Sequence, residues 1–233
     1  CCPPGTPGFT GGEHVLGWNM LKQIARFHQV WALTNGADRP SIEQAQAQDP
    51  IPNLKFWFVD LPRWLQPLVR YQGGIQFYYF LWQIRAYITA RKLQKQVGFD
   101  LFHHITYAND WMASPIGALL PIPYVRGPGG GAHRTPKGFE QEYPFGGRMW
   151  EKVRAAGQWV FRHDPFFILG QRRARAIMLC QHESLAKIPR KWAQKAHLFP
   201  VNGVSSEDLA LSFTSEAHGD QFRVLSAGTL IRV

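Results

Sequence analysis

Between Asp100 and Pro136 the chain carries DLFHHITYANDW, the apolar run ASPIGALLPIPYV and then RGPGGGAHRTP. The residue types and spacing here suit chemistry. His103 and His104 end a short apolar segment, with Thr106 and Tyr107 close behind. Arg126 and His133 flank a glycine run that includes Gly130 and Gly131. A neutral imidazole at a strand end can exchange hydrogen bonds with a hydroxyl-rich ligand. Consecutive glycines admit a bulky ligand close to the backbone and present N–H donors to an anion. A second such place is Gly11-Gly12-Glu13, which follows a Pro-rich loop and opens a helical pattern. Helix-start N–H groups in that setting attract phosphate. A Gly-Gly turn serving backbone geometry alone fits the same spacing.

Other chemistries are not legible. His103, His104 and His133 lack the spacing of zinc ligands, and adjacent strand residues point to opposite faces, so no metal is expected. There is no G-x-S-x-G elbow, no lysine closing a phosphate loop and no G-x-G-x-x-G fingerprint. Cys1 and Cys2 are adjacent and Cys180 lies in the apolar run IMLC, so the three cysteines form no disulfide framework. A reducing, cytoplasmic setting is expected.

The elements that must position these residues alternate. Strand patterns cover His28–Thr34, Asn53–Asp60, Phe99–Ile105, Ile122–Arg126, Ala176–Gln181 and His197–Val201, and a further strand begins at Gln221. A first helix puts Trp18, Leu21, Ile24 and Ala25 on one face. A surface helix and loop follow over Asp38–Pro52, and Trp111–Leu120 suits a helix capped by Asn109 or Asp110. This alternation predicts an α/β fold: a doubly wound, Rossmann-like parallel sheet flanked by helices. Ligands of such sheets bind where strands end and helices begin. Residues 1–204 read as one domain, 205–220 as a linker and 221–233 as the start of a second domain.

Leu61–Val97 stands apart. Phe77, Leu81, Ile84 and Ile88 fall on one helical stripe, expected to pack on the sheet, with Arg70, Arg85, Arg91, Lys92 and Lys95 around it. The apolar part is far shorter than the ~20 residues that span a bilayer. The aromatics beside the stripe leave contact with a membrane surface open. The net charge of +10 and pI near 9.8 favour an anionic partner: nucleotide phosphates, nucleic acid or an acidic membrane. A solvated basic surface fits the charge equally well. No nucleic-acid module is legible, so nucleic acid is not an expected partner.

Five segments in order resemble the nucleotide-sugar-dependent glycosyltransferases of family 4, two-domain enzymes of GT-B architecture. GGEH resembles that family's Gly-Gly loop, and FDLFHHITYANDW its "D-hydrophobic-hydrophobic-H" strand. PYVRGPGGGAHRTP is similar to its G-P-V-G-G-G-E-x-x-P segment, and LFPVNGVSSEDL to its "pNGVd" segment. FRVLSAGTLIRV resembles the "vGrL" strand that opens the second domain. The resemblance implies a retaining hexosyltransferase that needs no metal or other cofactor. It would move a sugar from a nucleoside-diphosphate sugar to a glycan or lipid-linked acceptor. His103 would meet the transferred sugar, and the Gly11-Gly12 loop the donor phosphates, with Glu13 among the donor and acceptor contacts. Thr106, Tyr107, Arg126, Gly130, Gly131, His133, Asn202, Gly228 and Thr229 complete the implied donor and acceptor contacts. The implied place is the cytoplasm, peripheral to the inner face of the cytoplasmic membrane.

Departures mark the match. Gly129 stands where the family often has Val, His133 where Glu is common, and Thr229 where an Arg would hold phosphate. The resemblance also implies that both ends of the chain are cut. A central strand is expected ahead of Cys1, and a Lys and a carboxylate pair beyond Val233. The chain alone is therefore expected not to catalyse transfer.

Overall fold

A computed structural model describes Pro3 and residues 12–70, 74–131 and 134–201. Gly11, His133, Asn202, Gly228 and Thr229 lie outside the described residues, as do the linker and the second-domain strand.

Among the described residues, six strands form two parallel sheets. β1 (Val30–Thr34) pairs with β2 (Leu54–Phe58). β3 (Phe102–His104), β4 (Tyr124–Gly129), β5 (Ala174–Leu179) and β6 (Ala196–Leu198) follow one another in order across the second. The strands are rich in β-branched and aromatic residues, which suit a pleated, half-buried surface. Parallel neighbours need crossovers, and helices supply them. α1 (Gly12–Ala25) precedes β1, α2 (Arg39–Gln48) joins β1 to β2, and α3 (Gly74–Val97) joins β2 to β3. α4 (Pro115–Leu119) leads to β4. α5 (Lys137–Glu140), α6 (Phe145–Arg162) and α7 (Pro165–Arg173) lie between β4 and β5, and α8 (His182–Ala186) between β5 and β6. The architecture is α/β, parallel sheets flanked by helices, compatible with a Rossmann-like fold.

Local signals set several of these boundaries. Asp164 caps α7, accepting from Phe166 N at 2.6 Å and Phe167 N at 3.1 Å, with Pro165 in the first turn. Ser114 caps α4 in the same way, through Gly117 N at 3.3 Å, with Pro115 next. The expected helix over Trp111–Leu120 is thus four residues too early at its start. Neither Asn109 nor Asp110 is its cap; the Ser-Pro pair is the true start signal, and Trp111–Ala113 stay in the loop.

Among the described residues, three apolar clusters form the core. Leu21, Ala25, Ala32 and Leu54 seat α1 on the first sheet. Tyr124, Ala174, Ile177, Leu179 and Trp192 fill the second. Val59, Ala86, Ala90, Ile116 and Leu120 lie between them, where Leu33 of β1 and Phe102 of β3 both pack. Full burial stabilises each large side chain by roughly 1.5–3 kcal/mol. The sheets therefore share a core, although among the described residues no strand bonds the second edge of β1 or of β3.

The stripe of α3 is a correction. Its buried residues are Gln83, Ala86, Ala90 and Leu93, whereas Phe77, Ile84 and Ile88 are exposed. Trp82 accounts for part of this: its Nε1 donates to Val59 O at 2.7 Å. Gln83 Nε2 likewise donates to Ala113 O at 3.1 Å, fixing the inward face by polar ties that a hydropathy pattern does not register. No helix among the described residues is long and apolar enough to cross a membrane.

Candidate functional site

Adjacent strand residues face opposite sides, and β3 separates its two histidines accordingly. His103 Nε2 lies 2.7 Å from Gly127 O, so Nε2 carries the hydrogen and Nδ1 is left as the acceptor. Burial lowers the His103 pKa, only partly offset by that bond, and the ring is neutral at pH 7. His104 turns to α3, where its Nε2 lies 2.7 Å from the Tyr79 hydroxyl. Burial first, then the Arg126 charge, drives the His104 pKa down to about 3. The expectation that His104 packs on the face opposite to His103 is met.

Beyond β3 the chain turns sharply. Tyr107 has φ 52°, in the left-handed region that a bulky residue rarely adopts. Its N–H donates to Glu13 Oε1 at 2.5 Å, tying the loop to the first turn of α1. Ile75, Gln76 and Tyr79 from the first turns of α3, with Tyr107, Asn109, Trp111 and Met112 from the loop, join Glu13 around a pocket of about 140 Å³. The Tyr79 and Tyr107 rings lie 4.9 Å apart. Burial, then the Glu13 carboxylate, raises both phenol pKa values, so both hydroxyls stay protonated. Gln76 Oε1 is buried without a hydrogen-bond partner inside this lining. Ring faces beside convergent amide, carboxylate and hydroxyl groups suit a small polar ligand with apolar C–H surface.

The glycine run serves two purposes. The Gly127–Pro128 peptide is cis, and a Cβ at Gly127 would collide with Met178 O; one at Gly129 would collide with Ala108 O. These two glycines let β4 approach β5 and the 107–110 loop. A Cβ at Gly130 would meet nothing within 4 Å, and Gly131 has φ 89°. Gly130 O accepts from Asp110 N at 3.0 Å and Gly131 O from Gln158 of α6 at 3.2 Å.

Arg126 lies beneath the rim at 4% exposure. It donates to Asn109 O, stands 3.8 Å from Asp110 Oδ1 and stacks over Phe167 at 5.4 Å. Asp110, 8% exposed, also accepts from the Ser184 hydroxyl. Arg126 thus holds the loop in place from a buried position, its Nη1 enclosed without a hydrogen-bond partner. Around the same carboxylate stand Arg134, Arg162 and Lys187. Desolvation lowers the pKa of Arg162 and Lys187; repulsion within the group adds to this and the Asp110 carboxylate opposes it.

Of the sequence-predicted residues, the structure brings Glu13 and Tyr107 into one pocket. Thr106 is next to it, its carbonyl 3.4 Å from the Tyr79 hydroxyl. Gly12 opens α1 beside Glu13. His103, Gly130 and Gly131 lie on the strand ends alongside, and Arg126 below. Gln76, Tyr79, Asn109 and Trp111 are not among the site residues expected from the sequence. Gln76 and Tyr79 belong to α3, whose inward face differs from the expected stripe, Asn109 is expected only as a helix cap, and Trp111 as the first residue of that helix. Among the described residues, no three His, Cys, Asp or Glu side chains form a cluster that could hold a metal. The chain matches no family model, no curated protein and no solved structure.

Proposed function

We propose that this chain is the acceptor-side half of a GT-B glycosyltransferase of the retaining, nucleoside-diphosphate-sugar-dependent kind. The observation that carries the reading is the pocket at the end of β3. Its walls interleave the rings of Tyr79, Tyr107 and Trp111 with the hydrogen-bonding groups of Glu13, Gln76 and Asn109. A sugar has the same two-sided character: C–H faces that lie on rings and hydroxyls that need partners. The order of the five sequence segments supports the same reading.

In this reading the pocket takes the glycan or lipid-linked acceptor. His103, neutral and held by Gly127 O, offers Nδ1 to a hydroxyl of the transferred sugar. Gly130, with open space before it, lets the backbone come close to that sugar. Arg134, Arg162 and Lys187 provide positive potential at the rim, of the sign that a leaving diphosphate requires. The reading carries with it a cytoplasmic setting and needs no metal.

Ligand-observed NMR of the 233-residue chain against a panel of saccharides, lipid-linked saccharide analogues and nucleotide sugars tests this. We expect saccharide binding that Trp111→Ala weakens by about tenfold, as loss of a well-packed ring contact of about 1.4 kcal/mol would. No saccharide binding, together with tight duplex binding that falls steeply with salt, would move the protein to the nucleic-acid binders.

A further inference from the structure

The outward face of α3 is unusual in what it exposes. The helix runs 24 residues and turns Gln83, Ala86, Ala90 and Leu93 inward, with Trp82 and Tyr87 packed on the core. Three other large apolar residues go the other way: Phe77, Ile84 and Ile88 are 54%, 39% and 51% exposed, in one stripe at i, i+7 and i+11. Further along the same side the stripe gives way to Arg91 and Lys92, both exposed. The 3-10 turn Arg63–Arg70 packs against this helix and exposes Trp64 by 76%. From Leu61 to Phe99 there is no Asp or Glu, while Arg63, Arg70, Arg85, Arg91, Lys92 and Lys95 all fall within it.

From these residues we infer that the outward face of α3 is a docking surface for an anionic lipid membrane. Charge complementarity selects this occupant. A second copy would set an acid-free cationic face against itself, and like charges would oppose the apolar contact. Nucleic acid would use the arginines but give Ile84 and Ile88 nothing to pack on. A lipid interface satisfies both: acyl chains receive Phe77, Ile84 and Ile88, and anionic headgroups receive Arg91 and Lys92. Indole at headgroup depth suits Trp64. α3 would lie on the surface, since it lacks the apolar length to span. Ile75, Gln76 and Tyr79, which line the pocket, belong to the first turns of the same helix, on the side turned away from this stripe. The docking itself does not rest on the glycosyl-transfer reading.

Co-sedimentation of the 233-residue chain with vesicles needs no sugar ligand and so fails or succeeds independently of that reading. On equal parts phosphatidylcholine and phosphatidylglycerol at low salt we expect binding that weakens as salt rises, and little on phosphatidylcholine alone. Phe77→Gln with Ile84→Gln and Ile88→Gln, and separately Arg91→Glu with Lys92→Glu, should each lower affinity by roughly tenfold or more. All five side chains are exposed, so thermal midpoints should hold. Either variant set, if folded, can decide the matter. No binding to the anionic vesicles, equal binding to both vesicle types, or unchanged binding by folded variants would overturn the inference. So would a sedimentation-velocity dimer that the apolar variant dissolves while vesicle affinity stays nil, which would assign the face to a second copy.

Discussion

Backbone alternation gives two neighbouring histidines separate partners. His103 meets Gly127 O and keeps one nitrogen as acceptor, while His104 goes to Tyr79 and is enclosed. For His104 the consequence is a pH dependence of stability. Its folded pKa of about 3 lies well below the ordinary value of 6.5, because burial, then the nearby Arg126 and His103, disfavour the cation more than a backbone bond to Thr106 favours it. The unfolded chain therefore binds the proton first. The neutral ring's contribution is complete above pH 6.5 and is lost as pH falls toward about 3, at up to about 1.4 kcal/mol per unit. His103 and His14, also lowered by burial, act in the same direction. Urea melts of His104→Gln, which keeps an acceptor for Tyr79, should show a shallower loss of stability between pH 6.5 and 4 than the parent, in keeping with the linkage. Parallel pH curves would show that His104 takes up its proton without cost.

At the scale of elements, strands were the legible part. All six expected strands within the described residues are present, because runs such as VWALT and ARAIML declare themselves by composition. Helix faces were less legible. The pattern of Phe77, Leu81, Ile84 and Ile88 is a true amphipathic stripe, but periodicity does not say which side faces the sheet. The bonds of Trp82 to Val59 O and Gln83 to Ala113 O decide that, and both link residues far apart in sequence. The pocket was half legible for the same reason: Glu13 and Tyr107 carry local signals, whereas Gln76 and Trp111 acquire their place only from the fold. Arg126 shows the opposite case, a residue whose type suggested a ligand contact and whose burial makes it a brace between β4 and the loop. Arg126→Met should take the buried cation from Asp110, leaving the Ser184 hydroxyl and the more exposed cations around it, and cost about 3–5 kcal/mol by chemical denaturation. The paired Arg126→Met, Asp110→Leu chain should recover part of that loss. A single variant as stable as the parent would remove the brace from the account.

For the molecule as a whole, the edges of β1 and β3 that carry no strand among the described residues set how the backbone exchanges with water. Residues of a strand direct N–H and C=O alternately to the two sides. Val30 N donates to Asn53 O and Thr34 O accepts from Val59 N, so Val30, Ala32 and Thr34 serve β2 while Trp31 and Leu33 point to the other side. Phe102 N donates to Pro123 O, so His103 of β3 is likewise turned away from β4. Three central amides in a shared core are thus left without strand partners among the described residues. Amide hydrogen exchange should find Trp31, Leu33 and His103 fast, beside slow Ala32 and His104, with protection differing by orders of magnitude between immediate neighbours. Uniform protection along both strands would mean that another strand already lies against them. Parallel edges that no described strand covers are also templates for a further strand, and their unpaired groups match a peptide of alternating apolar residues added in trans.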